Sequence, residues 1–325
     1  VIQDSMASFP DSPLAPPASA PIGTAQPGGG WVMGLEERWG ACRRWMIRAF
    51  FKDHLARFNA RRLGNEDPKQ PYSRIIDQRD LKFLRPVSGV SFEGPDPWGW
   101  RGRLGLARLG LGEVVVFSLL LTPCWVAHAV LGVTVHWAWW IGFAPFFIWH
   151  LFTVAFFRDP ERLVPTGDNL IVSPADGVVT GTEEVDMPDF PGGRALRVSI
   201  FLSVFSVHIN RAPFAMKTAV VRYYPGLFLD ARHADCAERN EQLWVDGFAA
   251  KNGLPIRLKQ ISGAIARRIV CWTKPGDGLN AGERFGLIKF GSRTDLLLPV
   301  GSATLRVKKG EGVWGGKTVL GEWKA

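Results

Sequence analysis

The stretch that divides this chain is Glu113–Phe157, EVVVFSLLLTPCWVAHAVLGVTVHWAWWIGFAPFFIWHLFTVAFF, which after Glu113 contains no Asp, Glu, Lys or Arg. A bilayer core takes about 20 apolar residues as a helix, so the run predicts two spans joined near Leu131–Thr134. Arg101, Arg103 and Arg108 precede it, and Arg158 and Arg162 follow it. Basic flanks of this kind mark the cytoplasmic side, so both ends of the hairpin, and the domain after it, are expected there. His128, His136 and His150, together with Pro123 and Pro145, predict imperfect helices. The competing reading is a buried helical pair or a re-entrant hairpin inside a soluble fold.

Working outward, residues 1–38 begin as a Pro-, Ala-, Ser- and Gly-rich text without basic charge and read as disordered. No secretory or transit signal is evident in them. Residues 39–63 form a basic amphipathic segment: Ile47, Phe51, Leu55 and Phe58 fall on one helical stripe, and Arg43, Arg44, Arg48, Lys52 and Arg57 crowd the remainder. Such a helix suits an anionic membrane surface or simple packing on the domain. A Pro/Gly-broken linker occupies 64–112. The net charge of +9 and the 14 tryptophans fit an anionic partner met beside an apolar phase. Cys42, Cys124, Cys236 and Cys271 lack metal or disulfide spacing, so no metal site is expected.

Residues 158–325 read as strands and turns. In RALRVSIFL, Leu196, Val198, Ile200 and Leu202 alternate with Ala195, Arg197, Ser199 and Phe201, the period of a half-buried strand. Turn signals recur at Pro174–Gly177, Pro191–Gly193, Pro275–Gly278 and Gly315–Gly316, and the best helical stretch is Asp230–Leu243. The absence of a Walker A or dinucleotide fingerprint argues against a nucleotide enzyme. The fold class expected is a β-rich α+β catalytic domain, preceded by a two-helix transmembrane or membrane-embedded hairpin and a partly disordered N-terminal extension.

Three polar positions stand at the edges of apolar runs: Asp176 in IVSPADGVV, His208 in FLSVFSVHINRAP, and Ser292 after Gly291 in LIKFGSRTDLLLP. Each has an ordinary structural reading as a turn, a half-buried histidine or a loop. Together, a carboxylate could orient an imidazole that takes a hydroxyl proton, but spacing does not single this triple out.

The ordered motifs FFRDPER, SPADGVV, LSVFSVHINRAP, ERNEQ and IKFGSRTDLLLP resemble the phosphatidylserine decarboxylase family, in its short prokaryotic form. The resemblance covers Phe156–Ala325 and the hairpin, and leaves residues 1–100 outside. It implies a self-cleaving proenzyme cut between Gly291 and Ser292, whose Ser292 becomes a covalent pyruvoyl group. That group would form a Schiff base with phosphatidylserine and act as electron sink while carbon dioxide leaves, yielding phosphatidylethanolamine. By the same resemblance Asp176 and His208 are the orienting acid and base, and Asn240, Glu241, Arg211 and Arg293 are candidate substrate contacts. The two chains stay associated, the partners are the lipid substrate and the membrane rather than nucleic acid, homo-oligomerisation is left open, and the location is the cytoplasmic membrane. The long bacterial form carries two nearby histidines where His208 stands alone, and its LGST cleavage motif is here Phe290-Gly291-Ser292-Arg293.

Two rival readings remain at this point. FAMKTAV places Lys217 after Ala-Met, as in a biotinyl or lipoyl carrier, although Thr218 follows where a Met is expected. A structural membrane protein without processing is the other.

Overall fold

The computed structural model describes Leu104–Lys324, apart from Ala234, Ala266, Arg267, Lys274, Pro275 and Phe290, together with scattered helical positions between Arg38 and Asp53. The disordered reading of 1–38 and the stripe Ile47, Phe51, Leu55 and Phe58 lie outside the described residues, except for Arg38, which is helical. Two compact units emerge, one from the hairpin with Val204–Val207, the other from Arg162–Ser203 and His208–Ala325.

The hairpin unit contains α1 (Leu111–Thr134) and α2 (Trp139–Phe156). At 1.5 Å per residue they measure about 36 and about 27 Å, lengths that match a hydrocarbon core of about 30 Å. Both are long and apolar enough to cross a membrane, and little of either surface is covered by protein. The reversal falls at Val135–Ala138, a few residues later than the expected Leu131–Thr134. There the N–H groups of Val135 and His136 both reach the Leu131 carbonyl, and the Ala138 N–H donates to His136 Nδ1. Both helices run on through Pro123 and Pro145. Between them, the Trp125 indole donates to His150 Nδ1 (3.1 Å), which leaves Nε2 to carry the proton to Ser118 Oγ (2.9 Å). These three polar groups of the apolar hairpin are thereby satisfied within it.

The second unit is almost all strand: β1 (Leu170–Val172), β2 (Gly177–Asp186), β3 (Arg194–Leu202), β4 (Ile209–Arg211), β5 (Met216–Tyr224), β6 (Gln242–Ala249) and β7 (Pro255–Ser262). There follow β8 (Arg268–Cys271), β9 (Gly278–Leu279), β10 (Arg284–Lys289), β11 (Ser292–Pro299), β12 (Ala303–Leu305), β13 (Gly312–Val313) and β14 (Val319–Trp323). An eight-stranded antiparallel sheet has the order β13-β2-β3-β11-β7-β6-β5-β9, and two three-stranded sheets, β1-β14-β12 and β4-β10-β8, complete the unit.

Side-chain alternation gives the large sheet two unlike faces. Val198, Ile200 and Leu202 of β3, Leu296 and Leu298 of β11, Ile256 and Leu258 of β7, and Leu243 and Val245 of β6 point to one side. They share a single core with Ile171, Leu320 and Trp323 of one small sheet and with Ile269, Phe285 and Ile288 of the other.

The reverse face is buried as well, but charged. Arg257 donates through Nε to Asp246 Oδ1 (2.6 Å) and through Nη1 to Asp189 Oδ2 (2.8 Å), and Arg222 adds a bond to Asp246 Oδ2 (3.0 Å). The Trp244 ring meets Arg257 Cζ and Lys259 Nζ, each 4.1 Å from its centroid. Burying charges costs several kcal/mol apiece unless they are paired, and here each guanidinium finds its carboxylate on a neighbouring strand or on the loop at Asp189. Burial drives the Lys259 ammonium down to about 8, with the Asp295 carboxylate opposing that fall.

The helix expected over Asp230–Leu243 shrinks to the four-residue α3 (Cys236–Arg239). Its continuation is intercepted: the Leu227 N–H takes the Arg239 carbonyl (2.7 Å), and the Glu241 N–H goes to the Leu227 carbonyl (2.9 Å). Asn240 is thereby extended, and β6 begins at Gln242. A tertiary pairing overrides local propensity here.

Two measurements check this account. Leu258 is fully buried on the central β7, so Leu258→Ala should destabilise by roughly 2–5 kcal/mol, whereas Val178→Ala, on an exposed side chain, should change the melting temperature little. Because the unfolded Lys259 keeps its proton while the folded one loses it near pH 8, stability contributed at this position should rise with pH between about 8 and 10.4. Lys259→Met should remove that rise, as read from parallel denaturation curves across the interval.

Candidate active site

Ser292 opens β11, the strand held on both sides. It registers against Leu202 of β3 and Ser262 of β7. Its hydroxyl is fully buried and has no hydrogen-bond partner among the described residues. Leaving a buried hydroxyl unsatisfied costs about 1–3 kcal/mol, so the position calls for a reason beyond packing. Gly291, immediately before it, sits at φ +70°, a left-handed conformation open to glycine at little cost. The turn directs the Gly291 N–H to His208 Nε2 at 3.0 Å. An amide only donates, so Nε2 is the unprotonated nitrogen and its lone pair faces the Gly291–Ser292 segment. His208 is itself buried, and its carbonyl accepts from the Ile288 N–H (3.2 Å) at the junction of β4 and β10.

The carbonyl of Gly291 lies against Gly263, just past the end of β7. A Cβ built on Gly263 would stand 2.7 Å from the Gly291 oxygen, and Ala231 Cβ closes the same corner. Sequence reasoning missed Gly263. A lone glycine after a strand carries no signal until the strand opposite it is known.

Asp176 occupies the turn after β1. Its Oδ1 accepts from the Gly315 N–H and its Oδ2 from Arg162 Nη2, both at 2.7 Å. The turn is tied to the strand that follows His208, since the Arg211 N–H donates to the Pro174 carbonyl (2.8 Å). These hydrogen bonds bring His208 directly to Gly291, beside Ser292, and attach the Asp176 turn to β4.

Beneath Ser292 runs a buried amide ladder that sequence reasoning also left unassigned. Asn210 Nδ2 donates to Thr294 Oγ1 (2.8 Å), and Gln260 Nε2 donates to Asn210 Oδ1 (2.8 Å). It links β4, β11 and β7, so the strand carrying the histidine and the strand carrying the serine are fixed to one another by side chains. Asn210 could be suspected two residues after His208; Thr294 and Gln260 could not, because their partners come from distant strands.

The four residues expected at a substrate fall as follows. Asn240 spends its amide on the backbone, accepting from the Leu229 N–H (2.9 Å) and donating to the carbonyls of Leu229 (2.9 Å) and Ser262 (2.7 Å). The Glu241 carbonyl accepts both the N–H and the Oγ of Ser262, each at 2.9 Å. These two residues brace Ser262, the partner of Ser292. Arg211 is buried and donates to the Gly282 carbonyl (3.1 Å). Arg293 points to the reverse face, as the residue after Ser292 on a strand must. It makes a two-pronged bond to Asp295 (2.7 and 3.1 Å) and reaches Ser199 Oγ (2.7 Å). Its donors are thereby engaged away from Ser292. Burial pushes the nearby Cys236 thiol up, which keeps it an inert neighbour. Lys217, the position a carrier would use, lies within β5 opposite Phe248 and Gly278.

The described residues hold no cluster of metal-ligating side chains. A buried serine hydroxyl, a left-handed glycine before it and an imidazole nitrogen on that glycine's own N–H stand together at the Gly291–Ser292 bond.

Comparison with known proteins identifies the family. Residues 149–321 match the family model described as phosphatidylserine decarboxylase. The chain is 49% identical over 199 residues to the phosphatidylserine decarboxylase proenzyme of Symbiobacterium thermophilum, covering 60% of this chain and 89% of that protein. It is 40% identical over 234 residues to the like-named protein of Rhodopirellula baltica (71% and 94% covered). With that of Chlorobium chlorochromatii it shares 45% over 222 residues (67% and 100% covered).

Gly263→Ala should displace the Gly291 carbonyl and slow breakage of the Gly291–Ser292 bond by roughly 10²-fold, the usual penalty for an ångström-scale misplacement. A time course of chain splitting after synthesis in vitro measures it, with the melting temperature as a check on folding.

Proposed function

The chain belongs to the phosphatidylserine decarboxylase family, and on that premise we propose that it is a proenzyme that cuts its own Gly291–Ser292 bond, converts Ser292 to a pyruvoyl group and decarboxylates phosphatidylserine to phosphatidylethanolamine. The observation that carries the reading is the buried hydroxyl of Ser292, which has no hydrogen-bond partner among the described residues and directly follows a left-handed glycine whose amide rests on His208 Nε2.

His208 is the base. Its Nε2 lone pair exchanges the Gly291 N–H for the Ser292 Oγ proton as the oxygen adds to the Gly291 carbonyl carbon. The peptide C–N bond then breaks, leaving an ester, and the Ser292 nitrogen gains a proton. Removal of the Ser292 Cα proton expels the Gly291 carboxylate and leaves dehydroalanine, which gains water and loses ammonia to become pyruvoyl. Asp176, with its carboxylate fixed by Arg162 and Gly315, orients the histidine through the turn joined to β4. The site fits the group: a glycine on the acyl side, a small residue opposite at Ser262, and a base on the N–H of the glycine just before the bond to be cut.

Once present, the pyruvoyl carbonyl supplies the electrophile for the substrate amine and the sink for the electron pair left by carbon dioxide. His208 is also the group that returns a proton to the carbon that lost it. Asn240 and Glu241 keep Ser262 and the floor of the site in place.

Cutting does not release the C-terminal piece. Ser292–Pro299 pairs along its whole length with β3, and Ser292–Leu297 with β7, and both neighbours belong to the other chain. The substrate is a membrane lipid, and the apolar hairpin holds the enzyme in the bilayer where that lipid resides. The basic residues Arg101, Arg103, Arg108, Arg158 and Arg162 around the hairpin support a cytoplasmic position for its ends and for the catalytic domain.

The test is the intact mass of detergent-purified protein beside Ser292→Ala and His208→Ala. Wild type should give two chains, the smaller lighter than the Ser292–Ala325 peptide by one ammonia and heavier by two hydrogens after borohydride. Ser292→Ala should remain whole, and His208→Ala should be cut roughly 10²–10⁴-fold more slowly. A folded wild-type chain that stays uncut would overturn the reading and bring forward the structural one.

A further inference from the structure

The segment Ser203–Val207 leaves β3 and ends at His208, yet Val204–Val207 packs with the hairpin unit. Two contacts account for this. The Arg158 guanidinium, just beyond α2, donates through Nη2 to the Phe205 carbonyl (2.5 Å) and through Nη1 to the Ala155 carbonyl (2.6 Å). The Phe205 ring stands edge-on to Phe152 of α2, centroids 6.2 Å apart at 85°. Phe152 precedes Arg158 by six residues, about 9 Å along a helix.

The base of the hairpin is defined independently. The Ala107 N–H donates to the Phe157 carbonyl (2.5 Å) and the Asp159 N–H to the Gly105 carbonyl (2.7 Å), so the entering and leaving chains are tied at the level of Arg158. An arginine at the end of an apolar helix, its stem along the hydrocarbon and its head in the polar layer, marks the interface. Phe205 therefore reaches from that charge toward the apolar side, where its ring remains 73% exposed. On α2, the helix of its partner Phe152, the side chains of Ile148, Trp149 and Leu151 are all more than half exposed. A single exposed Phe on a soluble surface means little, but this one extends a continuous apolar helix surface and is pinned by the interfacial arginine.

We propose that Ser203–Val207 is a membrane-inserted loop, with Phe205 seated among acyl chains at the edge of the leaflet in which the hairpin begins and ends. The occupant of this surface is the bilayer itself. The inference rests on the reading of the hairpin as membrane-embedded. The loop running into His208 thus carries an anchor of its own in addition to the two helices.

Photo-crosslinking tests it on the full-length chain. p-Benzoylphenylalanine is placed at 205, at Ile148 on α2 as a lipid-facing reference, and at Val300, in the turn after β11, as a second reference. Each protein is reconstituted into phosphatidylethanolamine–phosphatidylglycerol vesicles carrying tritiated phosphatidylcholine, irradiated, and assayed for label on the protein, with normal chain splitting as proof of folding. Position 205 is expected to take up label several-fold above Val300 and comparably to Ile148. Label at Ile148 with only the Val300 level at 205 would overturn the loop proposal and leave the hairpin reading intact. The Val300 level at both 148 and 205 would remove the hairpin reading and the inference together.

Discussion

The structure depends on the double pairing of β11. A strand with a ladder on both sides can lose the covalent bond at its start and still be held by the backbone hydrogen bonds of its neighbours. Ser292 is the first residue of that ladder, and Gly291 is the left-handed turn that ends the approach to it. A peptide bond at such a junction is held rigidly on one side and bent on the other, which aims its carbonyl while leaving the rest of the sheet undisturbed. The amide ladder Gln260–Asn210–Thr294 then ties the histidine's strand to the same place. Catalytic geometry is borrowed from sheet geometry.

The two faces of the sheet divide the labour. The inner face is aliphatic and shared with both small sheets, and it supplies the nonspecific stability. The outer face buries Arg257, Asp246, Lys259, Trp244, Arg293 and Asp295, a costly set that replaces hydrophobic packing with directional contacts. Arg293 illustrates the consequence. Alternation along β11 sends its guanidinium to Asp295 and Ser199 while Ser292 faces inward, so the residue following the scissile bond is anchored independently of the site. An end that becomes a new chain terminus needs such an anchor.

The hairpin follows a different rule. Its outer surface is apolar and little covered by the described residues; Ser118, Trp125 and His150 are spent on each other, and Thr134 and Thr153 bond back to their own helix backbone. Arg158 closes the apolar length and holds Phe205, so the same residue that ends the span also gathers a loop from the chain beyond β3.

Much of this was legible in the order of residues. An uncharged run longer than 40 residues admits few explanations, because a charge buried in hydrocarbon is too costly to carry without purpose. The period of two in β3, the turn signals and the motif order around Asp176, His208 and Gly291–Ser292 are likewise local properties, readable wherever the chain goes. Tertiary structure decided what depends on two distant segments meeting. Asp230–Leu243 has helical propensity but yields four helical residues, since Leu227 captures the backbone at Arg239 and Glu241. Arg293 is turned from the site by strand alternation, and Asn240 is drawn into bracing Ser262. Thr294, Gln260 and Gly263 matter only because β11, β4 and β7 come together. Apolar length and period are written into consecutive residues, whereas a hydrogen bond between strands exists only once both have been brought to the same place.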